Sequence, residues 1–168
     1  MKAMSMRRQT VTCLVLGALL TAVPALSQEA TSGGVFTPDA SNTFRSPNED
    51  ALIHLLINQE TSPGTPAAMS LLTALPGLQI PEHVHEDSDE FLYIMSGGGE
   101  MVLGEETLEV SEGSAIRIPA GVPHSFTAGQ SATVAVQMYV GPGPENRFRG
   151  WNPIQWPSEE PAESEPSP

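Results

Sequence analysis

The chain is poor in basic residues and nearly devoid of cysteine. Lys2 is the only lysine and Cys13 the only cysteine among 168 residues. Seven Lys and Arg stand against twenty Asp and Glu, a formal net charge of −13 at pH 7. Such a surface repels phosphate backbones and anionic lipid, which argues against nucleic-acid binding and a membrane-surface role. A single cysteine excludes an internal disulfide and a thiolate-based metal cage. Long apolar runs are missing too. The uncharged stretch from Val11 to Leu20 is too short to span a bilayer comfortably, and no second one follows. There is no repeat of fixed period, and helical spacing is hard to find. Leu52, Ile53, Leu55 and Leu56 fit one helical face, but a seven-residue apolar run reads better as a buried strand.

What is present begins with an export pattern. Lys2, Arg7 and Arg8 precede the apolar run, and Pro24 then introduces the small residues Ala25 and Ser27. A basic segment, a short apolar core and a small-x-small site form the layout of a secretory signal. An uncleaved anchor is the alternative, and the pair Arg7-Arg8 hints at a twin-arginine route. Cleavage after Ser27 would remove Cys13 and Lys2. It would leave Arg45, Arg117, Arg147 and Arg149 against all twenty acids, a net charge of −16. The mature protein is then expected in the periplasm or outside the cell, with no stable membrane insertion.

The rest divides into an extended arm over 28–50, a β-barrel domain over 51–156 and a Pro/Glu/Ser-rich disordered tail over 157–168. In the middle part, short β-prone runs alternate with turn residues. Runs at 51–57, 67–75, 91–95, 101–103, 107–110, 115–118 and 132–140 are separated by Pro63-Gly64, Pro76-Gly77, Gly97-Gly98-Gly99, Gly104, Gly113 and Gly121. Strands punctuated every ten residues or so predict an all-β sandwich or barrel.

Three of the four histidines fall into one constellation. His83 and His85 lie two apart in a segment without helix features, a spacing that puts both imidazoles on one face of a strand. Glu90 follows a short acidic turn and opens the next strand, so it reaches the same point if the two strands pair. His124 comes after the Pro119–Pro123 turn. Three imidazoles and a carboxylate suit one divalent transition metal (iron, manganese, nickel, copper, cobalt or zinc) and hardly suit calcium or magnesium.

The stretch from Gly77 through Pro81-Glu-His83-Val-His85 and Glu90 to Gly97 resembles the first motif of the cupin superfamily, with its signature positions filled. Gly113-Ser-Ala-Ile-Arg-Ile-Pro119-Ala-Gly121-Val-Pro-His124 resembles the second. One departure is Ala128, where the second motif usually closes with Asn. The resemblance implies a jelly-roll barrel, a double-stranded β-helix. It implies that His83, His85, Glu90 and His124 are the metal ligands, and by analogy that the protein is a homodimer. The same ligand set is similar to that of cupin dioxygenases of the quercetinase kind, and of cupin decarboxylases, isomerases and lyases. Glu90 is also the candidate catalytic base. With no lysine or cysteine nucleophile in the mature chain, the metal would carry the chemistry on a small-molecule substrate. A non-catalytic protein that stores metal or binds a small ligand is the other reading.

Beside these, Tyr93, Met95, Phe126, Gln137 and Met138 are candidates to line the barrel. Gln137, polar within the apolar run 134–140, needs a partner if buried. Arg117 is expected to face solvent. His54, outside both motifs, reads as a surface or edge-strand histidine.

Overall fold

The computed structural model describes residues 33–141 and 143–155, so the export pattern at 1–27 and the tail at 157–168 lie outside the described residues. Alternation of buried and open positions generates the strands. In chain order they are β1 (Thr43–Arg45), β2 (Ala51–Ile57), β3 (Ala67–Ala74), β4 (Gln79–His83), β5 (Asp89–Ser96), β6 (Gly98–Leu103), β7 (Glu106–Ser111), β8 (Ala115–Ile118), β9 (His124–Ala128), β10 (Thr133–Val140) and β11 (Asn152–Pro153). A 3-10 turn, Pro144–Gly150, separates the last two. That turn is the one helical piece among the described residues, and the sequence pattern does not predict it.

The strands form two antiparallel sheets, ordered β11-β1-β2-β3-β10-β5-β8 and β4-β9-β6-β7. In β3 every second residue is buried, and in β10 Thr133, Ala135, Gln137 and Tyr139 are buried while the residues between them are more open. One face of each strand therefore meets the other sheet and one meets water. Ala74, Ile94, Ile118 and Ala135 from the larger sheet pack with Met101, Val110, Phe126 and Ala128 from the smaller one. A second cluster of Phe44, Ile53, Leu55, Leu72 and Phe148 closes the barrel at the end reached by the 3-10 turn.

Gly97 marks the turn from β5 to β6. Its φ is 75°, a left-handed conformation that glycine adopts without cost, and a Cβ there would collide with the backbone oxygen of Ala132.

Three sequence expectations need correction. β4 and β5 are not neighbours but belong to different sheets, and β4 ends at His83, so His85 lies in the following loop. Tyr93 and Met95 are 51% and 49% exposed, and Met138 has the same outward parity in β10, so none of the three faces the interior. The reason is period-two alternation: Glu90 and Ile94 point inward from β5, which turns Tyr93 and Met95 out. His54 is not on an edge strand either, since β1 and β3 flank β2. Its Nδ1 lies 2.8 Å from the Thr43 hydroxyl.

Candidate metal centre

His83 ends β4 and His124 opens β9, and the two are direct cross-strand partners. His85 follows two residues beyond β4, while Glu90 enters from the second position of β5 in the other sheet. The barrel thus closes around the four side chains from both sheets. One donor atom from each lies within 4.8 Å of every other. The imidazole centroids are 4.1 Å apart for His83 and His124, 4.9 Å for His83 and His85, and 5.1 Å for His85 and His124.

Backbone carbonyls decide which nitrogen faces the centre. His83 Nδ1 is 2.8 Å from the Pro81 oxygen and His124 Nδ1 is 2.9 Å from the Val122 oxygen. A carbonyl only accepts, so each Nδ1 carries the hydrogen and each Nε2 turns its lone pair inward, as in metal-bound histidines. The loop that aims His124 is pinned in turn. Gly121 N donates to the His85 oxygen at 2.9 Å, and Ala120 N donates to Asp89 Oδ1 at 2.9 Å. Arg117 donates to Asp89 Oδ2 from Nη2 at 2.8 Å and from Nε at 3.1 Å, so its exposed guanidinium serves this tether. The Ala120 amide and the Arg117 guanidinium hold the Asp89 carboxyl below the ordinary carboxylate range.

Glu90 is held from behind by a polar relay across three adjacent strands. Ser70 on β3 donates to Gln137 Oε1 at 3.2 Å, and Gln137 Nε2 on β10 donates to Glu90 Oε1 at 2.7 Å. Gln137 therefore has the partner that its burial requires. Burial alone would push the Glu90 carboxyl up, but His124, His85 and Gln137 outweigh it and hold the group at about 2. Burial brings His83 down to about 4, so both are in the metal-ready protonation state at pH 7. For His124 burial acts downward, and the nearby Glu90 more than offsets it, leaving its affinity for protons raised.

The remaining oxygen, Glu90 Oε2, lies 3.2 Å from both His85 Nε2 and His124 Nε2. These approaches lack hydrogen-bond geometry: His83, His85 and His124 Nε2 and Glu90 Oε2 are all buried without a hydrogen-bond partner. Buried polar atoms left unpaired are costly. A cation between them removes that penalty. The donor set therefore fits one transition-metal ion, held by His83, His85, Glu90 and His124.

With that geometry established, residues 70–140 match the cupin domain family. The domain is a cupin. Protein SchB of Streptomyces halstedii is 28% identical over 90 residues, which cover 54% of this chain and 65% of that protein. Polyketide synthase CurC of Streptomyces cyaneus is 32% identical over 74 residues, covering 44% of this chain and 48% of that protein. The chain thus spans between about half and two thirds of the length of these relatives. Among solved structures, KdgF from Halomonas sp. superposes with a TM-score of 0.58 at 17% identity, over 68% of this chain and 99% of that one. That likeness carries the jelly-roll fold of the cupin domain. Ala128, at the position that departs from the second motif, is 4% exposed and its backbone N donates to the Leu78 oxygen at 2.8 Å, a structural position away from the ligands.

Beside the four ligands lies a cavity of about 40 Å³ lined by Leu72, Ile94, Met101, Phe126 and Gln137 among others. A wider pocket of about 380 Å³ shares Leu72, Ile80, His83 and Arg147 with it. Sequence spacing does not single out Ser70, Tyr139 or Arg147. Tyr139 was within reach of parity, since it stands two residues from Gln137 in β10 and its ring meets His85 edge-on at 5.1 Å. Arg147 carried no such mark, because the 3-10 turn brings it to the site.

Proposed function

We propose that the chain is an exported, metal-dependent cupin enzyme that acts on a small organic molecule, in the class of cupin dioxygenases, decarboxylases, isomerases and lyases. One observation carries this reading: four buried donor atoms without partners converge at one point beside a cavity. A divalent transition metal bound there supplies Lewis-acid or redox activation of a substrate oxygen. The chain's own residues do the rest. His83 and His124 are oriented by Pro81 and Val122, and the Ser70–Gln137 relay fixes the Glu90 carboxylate. Glu90 is the catalytic candidate: Oε1 is held by Gln137, so Oε2 would take a substrate proton by leaving the metal. The apolar side chains around it limit water.

Export rests on the N-terminal pattern of Lys2, Arg7, Arg8, the apolar run and Ala25-x-Ser27, and homodimerisation rests on family analogy alone. A relative carrying the name polyketide synthase makes polyketides a sensible part of the substrate search. The test is a screen of metal-loaded and metal-stripped protein against flavonols, polyketide-type phenols and small carboxylic acids. Turnover that disappears on chelation and returns with the metal is the expected outcome. Stoichiometric binding without turnover of any compound would contradict the enzyme reading and favour a metal-storage or ligand-binding protein.

A further inference from the structure

Arg147 stands where the two spaces meet. It lines the inner cavity with His83, Glu90 and His124, and the outer pocket with Phe148 and Trp151. Its position is restrained on two sides. Nη2 donates to the Tyr139 hydroxyl at 3.4 Å, and Cζ lies 4.7 Å from the centre of the Phe148 ring. Tyr139 is fully buried and packs against His85, so one side chain links the guanidinium to the ligand cluster. The positive charge is felt at both His83 and His124.

Among the described residues the charge has no ion-pair partner, a state it shares with the exposed Arg45. Arg117 pairs with Asp89 and Arg149 with Glu60. Among the described residues no carboxylate pairs with Arg147, in a chain where twenty acids face seven bases. A free cation on an open surface would need no explanation. Here it borders a pocket with an apolar side formed by Leu72, Leu78, Ile80, Phe148 and Trp151, while the polar lining includes Ser46, Asn48, Gln79 and Asp50, whose carboxylate accepts from the Ser46 hydroxyl. A guanidinium is a planar fork that matches a carboxylate with two parallel hydrogen bonds.

We propose that Arg147 is the anion-recognising residue of this pocket, binding the carboxylate of a substrate whose flat apolar body lies against Trp151 and whose reacting end faces His83, Glu90 and His124. The inference rests on the reading of that cluster as a substrate-facing metal site, and it narrows the substrate class to carboxylated, planar, largely apolar molecules. Only a ligand that reaches Arg147 inside the pocket gains from its charge, which makes the residue a discriminating feature.

The test uses benzoate and benzamide, which share shape and differ in charge. Each is titrated calorimetrically into metal-loaded protein, as wild type, Arg147→Gln, Arg147→Lys and Arg149→Gln. Arg149→Gln removes the same charge from the same turn without touching the pocket, so it controls for the overall field. The expected result is a loss of about tenfold in benzoate affinity in Arg147→Gln, with partial retention in Arg147→Lys and none of this loss in Arg149→Gln. Benzamide affinity should be the same in all four. Unchanged benzoate binding in Arg147→Gln would overturn the proposal, as would an equal loss in Arg149→Gln or no benzoate binding by the wild type. Metal content measured on the same samples keeps the two readings apart. Protein without metal that still loses benzoate in Arg147→Gln refutes the metal centre and retains the anion site.

Discussion

Gln137 stands in the middle of β10, turned inward with Ala135 and Tyr139 by strand alternation. It is the one side chain that donates to Glu90 while accepting from Ser70. Replacing it by leucine leaves Glu90 Oε1 buried and unpaired, raises the proton affinity of the carboxylate and loosens its aim. Gln137→Leu should therefore weaken metal binding by about tenfold or more in competition with a chelator, the usual size of such outer-shell effects. Metal affinity equal to wild type would show that the relay is incidental. His54 offers a separate test at the same scale. Burial lowers its affinity for protons in the folded state, so the unfolded chain binds the proton more readily. The associated stability is present above about pH 6.5 and is lost as pH falls towards the lower folded value. Thermal melts between pH 7.5 and 5.5 should show a smaller loss of stability on acidification for His54→Gln than for wild type. Identical slopes would assign the pH dependence elsewhere. His83, which burial also brings down, contributes in the same direction in metal-free protein, so the comparison belongs on the metal-loaded form.

At the scale of the element, the geometry of the centre comes from strand ends more than strand middles. His83 closes β4, His124 opens β9 and Glu90 is the second residue of β5, so the ligands gather at one rim of the barrel. Their identity was legible in the sequence because motif spacing ties each to a turn: the acidic loop before Glu90 and the Pro119–Pro123 turn before His124. Pairing between strands was not legible. Spacing along a strand sets which face a side chain takes, but not which strand lies beside it, and β4 and β5 prove to be in opposite sheets. The misplacement of Tyr93 and Met95 has a different origin. Parity counted from Glu90 places them outside, and their apolar character alone suggested an interior role. The 3-10 turn carrying Arg147 left no hydrophobic period to read, because seven residues with two buried side chains are too few. Gly97 tests the turn between β5 and β6, the ligand strand and its successor. Alanine there must adopt φ near 75° and also displace the Ala132 carbonyl. Gly97→Ala should cost about 2 kcal/mol or more in denaturant unfolding. A loss below about 0.5 kcal/mol would mean that the turn relaxes freely.

For the whole molecule, the two sheets divide the ligand set between them. The smaller sheet holds His83 and His124, the larger one Glu90, and the loop joining the sheets holds His85. A bound ion would therefore fasten sheet to sheet as well as activate a substrate, and it would stabilise the folded state by mass action. At a free concentration a thousandfold above Kd that amounts to about 4 kcal/mol. The chain is strongly acidic in composition, and Arg147 is the cation that lines the outer pocket. The central claim is that His83, His85, Glu90 and His124 hold one transition-metal ion. It is tested most directly by elemental analysis of the purified protein, beside His83→Ala and His124→Ala. The account predicts about one equivalent of a divalent transition metal per chain in the wild type, and its loss in both variants. Wild-type protein that carries no such metal and takes none up from iron, manganese, nickel, copper, cobalt or zinc would contradict it.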